Sequence, residues 1–77
     1  MSRNLNDIDR YLKHLAAFSL GPLEPVGDAC ELRGKESGIF RLGVRRKNEN
    51  GEWLGTIELV TDSNGNPNSI NIGLSLA

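Results

Sequence analysis

Apolar residues near the N-terminus recur with the 3.6-residue period of an amphipathic helix. They stand at Leu5, Ile8, Leu12, Leu15 and Ala16. Asn4 is a suitable N-cap residue, and Gly21-Pro22 is a stop signal because glycine suits the C-cap and proline cannot continue the hydrogen-bond ladder. The pattern predicts a helix over about residues 5–20.

After this helix the period changes to two, which is typical of β-strands with one buried face. The predicted strands cover about residues 28–33, 39–47, 53–61 and 69–76. In the first of them Cys30 and Leu32 share one side, and we expect Cys30 to behave as a small hydrophobic residue. The last strand alternates throughout, and one of its sides carries Ile70, Ile72, Leu74 and Leu76.

Asn50-Gly51 marks a hairpin between the second and third strands. A two-residue Asn50-Gly51 turn, with positive φ at both residues, would place Leu42 opposite Leu59. A four-residue loop from Asn48 to Gly51 would instead place Arg41 opposite Glu58. Both registers keep the apolar residues of the two strands on one face, so the pattern leaves the choice open.

The polar run TDSNGNPNS, residues 61–69, has oxygen-bearing side chains at every second position from Asp62, as calcium loops do. However, Pro67 stands where such a loop requires glycine, and Gly73 where it requires a bidentate glutamate. We therefore predict a loop joining the last two strands, with positive φ supplied by Asn64-Gly65.

The chain is predicted to form one domain over residues 1–77, because so short a chain buries only about 60% of its unfolded surface. Short connections favour an antiparallel meander of three or four strands, and the N-terminal helix is the element that can cover its apolar face. We therefore predict an α+β fold. Its predicted core consists of Ile8, Leu12, Leu15, Phe40, Leu42, Val44, Ile57, Leu59, Ile70, Ile72 and Leu74.

Charge and composition argue against nucleic-acid and membrane partners and indicate a compartment. Ten acidic and nine basic residues give a net charge of −1, so no overall positive field attracts nucleic acid or an anionic membrane. The chain lacks the roughly 18 consecutive apolar residues of a membrane span. A single cysteine suits a reducing compartment. We therefore expect a cytoplasmic protein with no membrane partner.

Catalytic and metal-binding groups are sparse. His14 and Cys30 are the only residues of their types, they are predicted on different elements, and no third member of a catalytic set is identifiable. The glycines fall in turns and strands and do not form a phosphate-binding loop between a strand and a helix. We expect no enzyme activity, no cofactor and no metal.

The segment Arg45-Arg46-Lys47 is the most distinctive charged feature. Because successive strand side chains alternate, these cations form a positive edge at the hairpin, and neighbouring glutamates dilute its field. Nucleic-acid contact is therefore an alternative that we do not favour. Aromatic residues beside arginines are enriched in interface hot spots. The candidate partner-binding residues are Arg41, Arg45, Arg46, Lys47, Trp53 and Glu58.

Residues 31–60, ELRGKESGIFRLGVRRKNENGEWLGTIELV, resemble the middle of RelE/HigB-type toxin ribonucleases. The likeness lies in a basic segment leading to a glycine, an aromatic-Arg strand at Gly38-Ile39-Phe40-Arg41-Leu42, and a second strand returning through a hairpin. It implies a small α/β shape and an RNA-binding or ribonuclease toxin. The family's chemistry relies on basic and aromatic or histidine groups around its later strands and C-terminal segment, whereas SINIGLSLA carries none.

In size and charge the chain also resembles small phage-encoded inhibitors such as anti-CRISPR proteins, which cover a surface of a larger host machine. A domain this small can offer a patch of about 800 Å² to a partner but can hardly enclose a substrate. We therefore favour a non-enzymatic protein-interaction module that binds a host protein or complex. It would be a monomer, or a homodimer formed through the outer sheet face or the edge of the last strand. The alternative is a RelE/HigB-like RNA-binding or ribonuclease toxin domain.

Overall fold

A computed structural model of the chain describes residues 5–19, 21–32 and 38–76. Its elements are α1 (Leu5–Phe18), β1 (Glu24–Leu32), β2 (Ile39–Asn48), β3 (Gly51–Thr61) and β4 (Pro67–Leu76). The strands form one antiparallel sheet in the order β1-β2-β3-β4, and α1 packs on it. The predicted α+β fold is confirmed. The proposed Asn4 cap and most of the predicted turn at 34–38 lie outside the described residues.

The helix turns one apolar stripe toward the sheet. Ile8, Leu12 and Ala16 are buried, and their spacing of four residues places them on one helix face. Beyond Phe18 the chain reverses, and the Leu23 amide donates a hydrogen bond to the Ala16 carbonyl at 2.9 Å. The helix therefore ends before the Gly21-Pro22 stop signal, and the reversal brings Leu23 into the core.

The two central strands supply most of the sheet side of the core. Their buried residues are Phe40, Leu42, Val44, Ile57 and Leu59. These are alternate positions, as the period-two pattern predicted. We call the sheet face that carries them, and against which α1 packs, the inner face. The opposite side of the sheet is the outer face.

The hairpin between β2 and β3 settles the choice of register. Arg41 pairs with Glu58, which is the register predicted with the Asn48–Gly51 loop. Asn48 and Gly51 also pair, so the connection itself is the two-residue turn 49–50. The alternative with an Asn50-Gly51 turn is wrong, because positive φ occurs at Gly51 and at no described non-glycine residue. Instead, the Asn48 side chain accepts a hydrogen bond from the Asn50 amide at 2.9 Å and holds the turn.

The first strand departs from the prediction in its length and in its regularity. It begins at Glu24, four residues before the predicted start at 28, and contains a bulge. Val26 lies opposite Gly43 and Cys30 opposite Arg41, so three residues of β1 face one residue of β2. Gly27, with φ of 79°, takes the left-handed conformation that this bulge requires.

The face of β1 that enters the core is the one that carries Ala29. Ala29 is buried, while Cys30 is exposed. Cys30 and Leu32 share a side of the strand, as predicted, but this side is the outer face. The bulge adds two residues to β1, an even number, so Val26 before it and Cys30 after it lie on the same face.

Asp9 on α1 ties the helix to this bulge. Its carboxylate accepts a hydrogen bond from the Ala29 amide at 2.7 Å and forms an ion pair with Lys13 at 3.0 Å. Lys13 also contacts Asp28 at 2.7 Å. The Ala29 hydrogen bond is the main cause that lowers the pKa of Asp9 below its ordinary value of 3.8, and Lys13 adds to it.

Asp9→Asn is expected to destabilise the protein by about 1 kcal/mol at neutral pH, because a charged acceptor for the Ala29 amide becomes neutral. A lowered folded-state pKa stabilises the fold above the unfolded value of 3.8 and stops doing so as the pH falls through the folded value. The free energy of unfolding, measured in urea from about pH 5 to about pH 2, should therefore decline less in the variant than in the wild type. Parallel curves for the two proteins would contradict this role of Asp9.

The last strand holds the main departure from the predicted core. Ile70 is 40% exposed and Ile72 is 49% exposed, while Leu74 is half-buried against the core. The helix packs mainly on β1, and also on β2 and β3. Four strands span about 14 Å between the outermost axes, whereas a helix is about 10 Å wide. One helix therefore leaves the inner face of β4 uncovered.

Candidate protein interface

The predicted partner-binding residues lie on both faces of the sheet. Pairing positions place Arg41, Arg45, Lys47 and Glu58 on the outer face, and Arg46 and Trp53 on the inner face. This division follows from strand alternation, since Arg45, Arg46 and Lys47 are consecutive. The six residues therefore do not form one surface.

The outer-face cations lie close to carboxylates of neighbouring strands or stand opposite them in the register. Arg41 Nη2 lies 2.9 Å from Glu58 Oε2, and Arg45 Nε lies 3.2 Å from Glu24 Oε2. Lys47 stands directly opposite Glu52 in the β2–β3 register. Each cation of this group has a carboxylate beside it or across from it, which cancels most of the local positive field.

Arg46 has a structural role on the inner face. Its side chain is partly buried, and Nη1 donates a hydrogen bond to the Gly21 carbonyl at 3.4 Å. A side chain added at Gly21 would collide with the same guanidinium. Arg46 thus holds the segment that leaves α1 against the end of β2.

Trp53 lies at the end of the inner face, between Arg46 on β2 and Leu76 on β4. The side chain is partly buried. Its indole Nε1 is buried, and within the described part of the chain it has no hydrogen-bond acceptor. Trp53 therefore closes the end of the sheet nearest Leu76 and does not stand free as an isolated surface anchor.

Exposed apolar residues follow one another along β4. We define the β4 apolar surface as the inner-face residues Ile70, Ile72, Leu74 and Leu76. Leu76 is 55% exposed, so three of the four expose two fifths or more of their area. These residues stand at alternate positions on one strand and form a continuous row. The period-two alternation of these residues predicted a core strand, so the sequence pattern did not indicate an exposed surface here.

The two edges of the sheet differ in a way that bears on this surface. The β1 edge contains Pro25, Glu24 and the bulge, and α1 packs beside it through the Asp9 hydrogen bond to Ala29. Such features prevent another strand from pairing with an edge. In β4, by contrast, Asn68–Leu76 contains neither proline nor a charged residue, and its register with β3 is regular from Ser69 to Leu76.

The residues weighed for chemistry are dispersed. His14 is exposed on α1, where its ring lies 4.6 Å from that of Phe18, while Cys30 is exposed on the outer face. Among residues 5–19, 21–32 and 38–76, no three His, Cys, Asp or Glu side chains are placed to hold a metal ion.

The TDSNGNPNS run contains the loop between β3 and β4, as predicted, but the loop covers only residues 62–66, and β4 begins at Pro67, two residues before the predicted start at 69. The Asp62 carboxylate accepts hydrogen bonds from the amides of Asn64 and Asn66, each at 2.9 Å. Positive φ occurs at Gly65 and not at Asn64. The only carboxylate of the loop is therefore used to fix its backbone.

Comparisons with protein-family models, with curated proteins and with solved structures return no match to this chain. The resemblances to RelE/HigB-type toxins and to small phage inhibitors therefore stay predictions. Within the described segments, no helix has both the length and the apolar character needed to cross a membrane.

Proposed function

We propose that this chain is a small non-enzymatic protein-interaction module that binds a protein through the β4 apolar surface. The observation that carries the proposal is the exposure of Ile70, Ile72 and Leu76 in one row on an edge strand. Contiguous exposed apolar residues are costly in water and mark interaction sites in folded proteins. A free strand edge adds backbone donors and acceptors that another strand can use.

The surroundings of this surface have the composition of a protein contact. The neighbouring positions of β4 carry uncharged polar side chains, Asn71 and Ser75 among them, on the outer face. Depletion of charge around an apolar centre is characteristic of interface cores. The charged outer-face residues Arg41 and Glu58 neutralise each other and lie two strands and one strand away from β4.

Size and composition support a narrower form of the proposal, in which the module is a phage-type inhibitor that covers a surface of a larger host complex. The RelE/HigB-like alternative would need its basic groups to face RNA. Arg45 is held by Glu24 and Arg46 by the Gly21 carbonyl, and the proposal makes no use of either. RNA cleavage that is abolished by Arg45→Ala or Arg46→Ala would contradict a non-enzymatic module.

The test is affinity capture from the native host with the wild type and two variants, followed by mass spectrometry. Ile72→Glu places a carboxylate in the middle of the β4 apolar surface, and Ile72 is exposed enough for the fold to tolerate it. Val26→Glu is the matched control, because Val26 is 50% exposed on the other edge strand. We expect a protein captured by the wild type and by Val26→Glu to be lost with Ile72→Glu, by about tenfold or more.

Circular dichroism of both variants should match the wild type, which separates loss of binding from loss of fold. Capture of the same protein by Ile72→Glu at the wild-type level would show that the β4 apolar surface is not the binding site. Loss of capture with Val26→Glu alone would place the interface at the β1 edge instead.

A further inference from the structure

We propose that the protein bound at the β4 apolar surface is a second copy of this chain, paired antiparallel along β4. The inference rests on the proposed function, in that it takes this surface to be an interface, and it names the partner. In the dimer the two β4 strands lie side by side about a twofold axis, as isologous interfaces require. The result is one sheet of eight strands, four from each copy.

The sequence of β4 is self-complementary in this arrangement. With the axis at Gly73, Ile70 of one copy lies opposite Leu76 of the other, and Ile72 lies opposite Leu74. Every residue of the β4 apolar surface therefore meets an apolar residue, because directly opposed residues project from the same face of a sheet. On the outer face Asn71 meets Ser75, both uncharged and able to hydrogen-bond.

Nothing in this register places like charges together. From Pro67 to Leu76 the strand has no charged residue, and the whole chain carries a net charge of only −1. Edge strands that remain single usually carry a lysine, a proline or a bulge within the strand. β1 has two such features, Pro25 and its bulge. β4 has Pro67 and a register irregularity at Asn68, and both lie before the paired segment 70–76.

The length of the strand suits a dimer interface. Ten residues of β-strand extend over about 33 Å, and the longest dimension of the molecule is 43 Å. A stable interface buries about 800 Å² on each partner, which is a modest share of the 5476 Å² of accessible surface. In the register centred on Gly73 the pairing covers the seven residues 70–76, about 23 Å of strand. It brings together eight apolar side chains, four from each copy.

At Gly73 the structure provides a position that can carry a side chain without disturbing the monomer. A Cβ there would meet no atom within 4 Å, and its backbone does not adopt positive φ. In the dimer residue 73 lies beside its own copy at the axis. Gly73→Glu therefore places two carboxylates directly opposite each other, and Gly73→Lys places two ammonium groups there.

The experiment is sedimentation equilibrium of the full chain across the micromolar range. We expect the wild type and Val26→Glu to dimerise with the same dissociation constant. Ile72→Glu should raise that constant about a hundredfold or more, because each copy brings a carboxylate into an apolar contact. Gly73→Glu and Gly73→Lys should each raise it about fivefold, and an equimolar mixture of the two should recover wild-type affinity as a heterodimer.

A wild type that stays monomeric across this range would overturn the inference. If the wild type still captures a host protein and Ile72→Glu does not, only the choice of partner is wrong. If neither a dimer nor a captured protein is found, the proposed function is wrong as well. A dimer that persists with Ile72→Glu would overturn the location of the interface. If Gly73→Glu and Gly73→Lys each dimerise more weakly than the wild type and their mixture does not regain wild-type affinity, the proposed register is wrong.

Discussion

Ile57→Ala is expected to lower the free energy of unfolding by about 3 kcal/mol, whereas Ile72→Ala, directly across the β3–β4 ladder, should lower it by less than about 1 kcal/mol. The two isoleucines have the same chemistry, the same sheet face and neighbouring positions. They differ in coverage, because Ile57 is fully buried beneath α1 and Ile72 is 49% exposed. Alanine at Ile57 leaves a cavity that the surrounding side chains cannot fill.

Urea unfolding at low micromolar protein concentration measures both losses, and the low concentration limits any contribution from a dimer. A domain of 77 residues has only a few kcal/mol of net stability, so Ile57→Ala should be partly unfolded even without urea. Equal losses for the two variants would mean that β4 is covered as completely as β3. A loss for Ile72→Ala that grows with protein concentration would instead be the signature of an interface.

Local periodicity was sufficient to predict the elements of this fold and the faces of its central strands. Leu12 in the helix and Leu42 and Leu59 in the sheet are buried because their spacing matches the periods of 3.6 and 2. Whether one helix is wide enough to cover the whole sheet depends on tertiary packing, which local periodicity does not describe. Periodicity therefore assigned Ile72 to the core, although in the described part of the chain it is 49% exposed.

Periodicity also could not predict the bulge in β1, for a different physical reason. A pattern of alternate positions assumes one residue per pleat, and three residues of β1 stand opposite Leu42. Gly27 supplies the positive φ of the bulge. The hydrogen bond from the Ala29 amide to the Asp9 carboxylate holds the bulge to α1, and these two residues are 20 positions apart in the chain. Local sequence carries no signal of that contact.

The candidate partner-binding residues were predicted mainly from charge, and their role in binding stays a prediction. Arg41 and Arg45 were singled out as cations, but antiparallel register brings Glu58 and Glu24 to them. Exposed pairs of this kind contribute little to stability or affinity. The absence of charge from Asn68 to Leu76 is the more informative feature, because an edge strand without charge has little to prevent pairing.

Gly55→Ala is expected to destabilise the protein by about 3 kcal/mol or more, whereas Gly73→Ala should change its stability by less than about 0.5 kcal/mol. A Cβ at Gly55 would overlap the Gly73 carbonyl and come within 2.9 Å of Leu74 Cα, both of which belong to the backbone of β4. Backbone cannot rotate away as a side chain can. Gly73 on the facing strand has open space, so it is the matched control.

The damage from Gly55→Ala should be local to the β3–β4 ladder. Since α1 packs mainly on β1, β2 and β3, and β4 pairs with β3 alone in the described sheet, forcing these two strands apart leaves little to hold β4. Hydrogen exchange should therefore show loss of protection for β4 amides before those of β2, where α1 and two neighbouring strands hold the backbone. Uniform loss of protection across all four strands would contradict this. Because the same strand carries the β4 apolar surface, Gly55→Ala should also abolish dimerisation, while Gly73→Ala should retain it.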